Sequence, residues 1–248
     1  MTSAWAIYRR ELLALWVTPL AWVLLFVFLL LQGLSFSLVV THFASFVDIS
    51  VDQGPLQTYF SSAFVHLSLL LICPVLTMKS FAEERRSGTI ELTLTAPTSS
   101  LAVVLGKLLS VVTTFGVLWA PTLLYAVILR NTGSVSWSLV WSSYAGIVLL
   151  GTTYLAIGLL MSALTKSQLI AALLTTLVLF GFFLLGLGEQ VLDDGVPQAI
   201  GAHLSPLTQL DELSRGVVDS RRVVLNVSLL LLATFASVRA VESWRWAS

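Results

Sequence analysis

Six stretches of this chain lack Asp, Glu, Lys and Arg altogether and consist mostly of apolar side chains: 20–40, 58–78, 108–129, 139–161, 169–187 and 223–238. Most have about the 20 residues an α-helix needs to cross a bilayer hydrocarbon core. The last is the shortest, but Arg222 and Arg239 flank it and can snorkel outward from its ends. In lipid every backbone N–H and C=O must find a partner within the chain, so runs of this kind are helices. The expected fold is therefore an all-α polytopic membrane protein with six transmembrane helices, a single domain over residues 1–248. At 57% hydrophobic and 10% charged, the composition belongs to the membrane class. Zero net charge gives no footprint for nucleic-acid binding.

Orientation follows from the placement of Lys and Arg. Six spans put both termini on one side. That side collects Arg9, Arg10, Lys79, Arg85, Arg86, Lys107, Lys166, Arg239 and Arg245, nine of the thirteen. The other keeps Arg130, Arg215, Arg221 and Arg222, with eight of the thirteen acids: Asp48, Asp52, Glu189, Asp193, Asp194, Asp211, Glu212 and Asp219. The termini and the 81–97 insert are expected to be cytoplasmic, in the bacterial inner membrane. Arg9 and Arg10 precede an apolar run too long for a signal-peptide core, so no cleaved leader is expected.

Two further segments have texture. Residues 3–17 place Trp5, Tyr8, Leu12 and Leu15 at helical spacing with Arg9 and Arg10 opposite, which reads as an amphipathic helix along the inner leaflet. Thr18 and Pro19 then turn the chain into the first span. In the outer loop 188–222, Ser205-Pro206 is a helix start signal and Gly216 a stop, which predicts a small helical outer segment between spans 5 and 6.

No catalytic constellation is present. There is no GxxxxGK[ST], HExxH or GxSxG, and Gly106-Lys107 lacks the upstream glycine and following hydroxyl of a phosphate loop. His42, His66 and His203 are too scattered for a metal site. His66 is the one ionisable residue inside a span, hence a candidate intramembrane polar site, set against simple hydrogen bonding to a neighbouring helix. Cys73, the single cysteine, reads as a packing residue. Pro74 and Pro121 predict kinks, and Gly158 with Ser162 forms a small-xxx-small pair of the kind that also serves dimers.

The charged insert between spans 2 and 3 is the expected contact for a soluble partner in a chain made almost wholly of membrane spans. Glu83, Glu84, Arg85 and Arg86 are predicted to extend the second helix past the membrane surface, and Gly88 to break it. Thr89 can cap a short helix through Ile90, Glu91 and Leu92, ended by Pro97, with Ser99 or Ser100 capping the third span. The insert thus reads as a stiff lever, a break and a short crosswise helix.

The run AEERRSGTIELTLTAPTSSLAVVLGKLL resembles the cytoplasmic loop after the second span of type 2 ABC transporter permeases, in the branch named for gliding-motility and nitrous-oxide-reductase accessory permeases. LSPLTQLDELSRGVVDSRRVV is similar to that branch's outer segment before its last span. The resemblance implies a non-catalytic permease subunit whose 81–97 region is a coupling helix, seated in a separate ABC-type ATP-binding subunit that holds ATP and Mg. It implies two ATPase copies and a second permease chain, most simply in a homodimer with a heterodimer left open, spans 2 and 5 lining any pathway, and room for an extracytoplasmic or membrane accessory protein. The insert's acids are expected to matter more than its bases for ATPase contact. The rival reading is a membrane scaffold or sensor recruiting a cytoplasmic partner; an intramembrane enzyme lacks the polar residues it would need.

Overall fold

The computed structural model describes residues 2–45, 54–89, 98–132, 136–191 and 204–247. Among them every regular element is helical. α1 is Thr2–Val17, α2 Pro19–Ser45, α3 Pro55–Phe60, α4 Ala63–Thr77, α5 Ala82–Ser87 and α6 Ser100–Trp119. After a 3-10 turn at Ala120–Thr122 come α7 Leu123–Thr132, α8 Trp137–Leu164, α9 Gln168–Val191, α10 Pro206–Ser214 and α11 Ser220–Ala247. Six helical stretches are long and apolar enough to cross a membrane: α2, α3 to α5, α6 to α7, α8, α9 and α11.

The spans run antiparallel, so the bundle has two ends. One carries α10 and the starts of α3, α8 and α11. The other carries α1, α5, the start of α6 and both described termini. α8 lies at the centre and is the most buried span, whereas α2, α9 and α11 turn most of their apolar surface outward. Spans 1 and 2 are tied by a buried polar relay, in which the Tyr59 hydroxyl donates to Gln32 Oε1 at 2.9 Å and Gln32 Nε2 donates to Ser68 Oγ at 2.8 Å. Phe28 packs edge-on against Trp119, and Phe60 against Tyr144. Where lipid is as apolar as leucine, such contacts and close backbone approaches hold helices together.

Several boundaries differ from those read off hydropathy. Span 2 restarts at Ser62, whose hydroxyl accepts from the Val65 amide, so α3 and α4 are separate helices. Span 3 begins at Ser100, with Ser99 accepting from the Ala102 amide at 3.2 Å. Hydropathy started it after Lys107 because a charge normally marks the membrane edge; here Lys107 is buried inside the helix. Pro121 falls in the 3-10 turn, where its lack of an N–H interrupts the α-helical ladder. Gly158 and Ser162 serve packing inside the bundle. A Cβ on Gly158 would lie 2.2 Å from Thr77 Oγ1, and Ser162 is fully buried against span 2.

α1 packs along α6. A Cβ on Gly106 would lie 2.9 Å from the Ala4 carbonyl oxygen, so only glycine permits this approach. Ile7 is buried there, and Tyr8 shares a hydrogen bond with Thr113 across 3.3 Å. Trp5 stacks on Tyr8 but stays exposed, as does Arg9. At the opposite end Ser205 caps α10 by accepting from the Thr208 amide, and Gly216 follows it with φ 80°.

Candidate functional site

α5 carries the charged run of the insert, and its setting begins with a break. The expected lever continuous with span 2 is interrupted between Thr77 and Ala82. Pro74 cannot donate to the carbonyl of the preceding turn, and past Thr77, where the helical ladder stops, the amides of Phe81 and Ala82 find another acceptor. Ser162 Oγ, reaching over from α8, accepts from Phe81 N at 3.0 Å and Ala82 N at 3.1 Å, and donates to the Met78 carbonyl at 3.1 Å. One hydroxyl thus closes the gap between α4 and α5. α5 is a separately mounted piece, held by span 4.

Its first anchor is Lys107, 1% exposed on α6. Lys107 Nζ lies 3.0 Å from Glu84 Oε1 and 3.1 Å from Glu11 Oε1, and donates to the Ser80 carbonyl at 2.7 Å. The ammonium also stands 5.1 Å from the centre of the Phe81 ring. Arg10 adds a second cation, 2.6 Å from Glu11 and 3.0 Å from Glu84. A buried ammonium is tolerated only when paired and hydrogen-bonded in this way. Burial opposes ionisation of Glu11, yet Lys107 and Arg10 together hold its carboxyl below the ordinary value. The cluster fastens α1, α5 and α6 to one another.

The second anchor is Arg85, on the other flank. Its Nη1 donates to the carbonyls of Ala163 at 2.9 Å and Thr165 at 3.3 Å, where α8 leaves its last carbonyls without helical partners. Its guanidinium lies 4.6 Å from the Trp244 ring centre on α11.

The six described residues expected to face an ATPase therefore divide. Glu84 and Arg85 are engaged inside the chain. Glu83, Arg86, Gly88 and Thr89 remain exposed. Gly88 ends α5 with φ 74°, the left-handed conformation that favours glycine, so the helix stops where its spacing predicts. Ile90, Glu91, Leu92 and Pro97 lie outside the described residues.

A cavity of about 360 Å³ opens beside the cluster, between α1, the α4–α5 junction and α6. Leu15, Leu76 and Val111 form its apolar walls, while Lys79 and Glu83 join the cluster at its polar end.

His66 sits apart from this site. It is buried, with Nδ1 3.0 Å from the Ser62 carbonyl and Nε2 3.4 Å from that of Pro206, and so links span 2 to α10. No group of three or more metal-ligating side chains occurs among the described residues. Glu11, Lys107 and Ser162 were missed as site residues because their partners lie far away in sequence. The one available signal was a lysine two turns inside an otherwise apolar helix.

A family model described as ABC-2 family transporter protein matches residues 50–209, which take in spans 2 to 5 together with α5 and the start of α10. A search of curated proteins finds no match. With six membrane-spanning helices, an all-α bundle and this match over most of its length, the chain belongs to the ABC-2 family of transporter proteins as a multi-pass membrane permease.

Proposed function

We propose that this chain is the membrane subunit of an ATP-driven complex, acting as one permease domain over residues 1–248 and taking its force from a separate ATP-binding subunit. Residues 81–97 are its coupling segment. The observation that carries this reading is the mounting of α5. A short charged helix at the end of the bundle is clamped on one flank through Glu84 to Lys107, and on the other through Arg85 to the end of α8. It then presents Glu83, Arg86, Gly88 and Thr89 outward. A loop that only connected two spans would need neither clamp. A push on this stub reaches α1, α6, α8 and α11 directly.

Nine of thirteen Lys and Arg fall on the side of the α5 end, which supports cytoplasmic termini in an inner membrane. The loop sequence 82–109 supports the branch of gliding-motility and nitrous-oxide-reductase accessory permeases, with two ATPase chains and two permease chains per complex, ATP and Mg residing in the ATPase. The output is export or mechanical transmission across the membrane.

The test is cross-linking within a complex purified in mild detergent. Cys73 is buried, so a single exposed thiol at Thr89→Cys is a clean probe. It should cross-link to a co-purifying ATP-binding subunit, whereas Arg215→Cys at the opposite end should not. A purified complex with no ATP-binding subunit, or a Thr89→Cys adduct only to some other protein, overturns the reading in favour of a scaffold.

A further inference from the structure

We propose that the cavity between α1, the α4–α5 junction and α6 binds a zwitterion built of a primary ammonium and a phosphodiester, the headgroup chemistry of phosphatidylethanolamine. The uncharged stretches 20–40 and 58–78 end beside this cavity, which argues for headgroup depth. Thr18, immediately before the start of span 1 at Pro19, is on its wall, and so is Lys79, just past the end of α4 at Thr77. Leu15, Leu76 and Val111 give it an apolar side suited to the glycerol and upper acyl region of a lipid.

The charges select the ligand. Three cations (Arg10, Lys79, Lys107) and three carboxylates (Glu11, Glu83, Glu84) line the cavity, so its formal net charge is zero. Most are already spent on one another. Lys107 and Arg10 hold Glu11 and the Oε1 atom of Glu84. What remains is specific. Glu84 Oε2 is buried with no hydrogen-bond partner. Lys79, half-buried, and Glu83, at the rim, have no ion-pair or hydrogen-bond partner for their side chains among the described residues. The cavity therefore offers one uncommitted cation together with two carboxylate acceptors.

A simple anion would satisfy Lys79 but face both carboxylates, and a simple cation would meet the reverse penalty. A zwitterion satisfies both, its phosphate on Lys79 and its ammonium donating to Glu84 Oε2 and Glu83. A quaternary ammonium has no N–H to give Glu84, and among the described residues lining the cavity there is no aromatic ring of the kind that recognises choline groups. The ammonium must therefore carry N–H donors, as a primary ammonium does.

The experiment measures lipid retained by the full chain, purified without any ATPase, by native mass spectrometry. The probes are phosphatidylethanolamine, phosphatidylcholine and phosphatidylglycerol added singly at equal concentration. Phosphatidylethanolamine should be held about tenfold more tightly than either other lipid, the difference one charged hydrogen bond makes. Lys79→Gln and Glu83→Gln should each lower its occupancy about tenfold, while Arg130→Gln, at the other end of the bundle, leaves it unchanged. Soluble glycerophosphoethanolamine is the further arm: displacement of the lipid at equal concentration assigns the site to the free headgroup, and failure to displace assigns it to the membrane lipid. Equal retention of all three lipids, or Lys79 and Glu83 variants that bind like wild type, overturns the proposal. Thermal unfolding with each lipid checks that the variants are folded. Because no ATPase is present, the result stands apart from the coupling assignment.

Discussion

Lys107 is accommodated at 1% exposure because two carboxylates, a backbone carbonyl and a ring face surround its side-chain nitrogen. Removing it leaves Glu11 and Glu84 facing each other across the joint. Breaking a buried pair costs about 3–5 kcal/mol. Glu11 and Glu84 retain 18% side-chain exposure, which places Lys107→Met near the low end, about 3 kcal/mol. Thermal unfolding of the detergent-solubilised chain should show this loss, and neutralising both acids along with the lysine should recover most of it. Wild-type stability in the Lys107→Met variant would remove the joint from the account. The pH dependence has a defined sign. Glu11 is held below the ordinary carboxylate value in the fold, so its contribution is full above about 4.3, the unfolded value, and is lost as pH falls through the lowered one. Glu11→Gln should thus be less stable than wild type at neutral pH, and the two should converge as the solution is acidified. A difference that grows on acidification would contradict the pairing. The pairing itself was not visible in sequence, where Lys107 counts among the inner-side charges and Glu11 draws no reading of its own. Pairing between residues so far apart leaves no local pattern.

At the scale of elements, α5 matters because it is held from two sides by atoms that belong to other spans. Ser162→Ala removes the acceptor of two buried amides, which costs about 1–3 kcal/mol. Arg85→Ala releases α5 from the end of α8 and from Trp244. Both variants should insert normally yet give less ATPase stimulation and weaker co-purification of the ATP-binding subunit. Gly88→Val should do the same by a different route, since a β-branched residue at φ 74° is strained by about 1–2 kcal/mol and would redirect the chain leaving α5. Full stimulation in all three would mean that α5 transmits nothing. The sequence announced Gly88, Ser99, Ser205 and Gly216 correctly as helix punctuation, because caps and left-handed positions depend on a few adjacent residues. It could not announce the break at Thr77, because the hydroxyl that stabilises it comes from span 4.

For the molecule as a whole, six spans were legible because lipid imposes a one-dimensional demand: an apolar run of sufficient length must be a helix. The helix ends were less legible. α11 runs Ser220–Ala247, well beyond the apolar stretch 223–238, because hydropathy registers the hydrocarbon and not the solvated turns at either side. What surrounds the bundle is set by its outer faces. α9 is only 22% buried, and Leu169, Leu173, Leu177 and Leu184 form an exposed stripe at helical spacing along it. Such a stripe meets either lipid or the same stripe of a second copy. The proposed dimer chooses the latter, because among the described residues one bundle fills its core with Phe115, Trp119 and Tyr59. A two-fold contact brings each position close to its own counterpart. Leu173→Cys and Leu177→Cys should therefore cross-link chain to chain in nanodiscs, while Leu231→Cys and Phe235→Cys on α11 should not. Mass measurement of the same particles should find two permease chains with two ATP-binding subunits. One permease chain per particle, or cross-links confined to α11, would place the partner elsewhere and leave the α9 stripe to lipid.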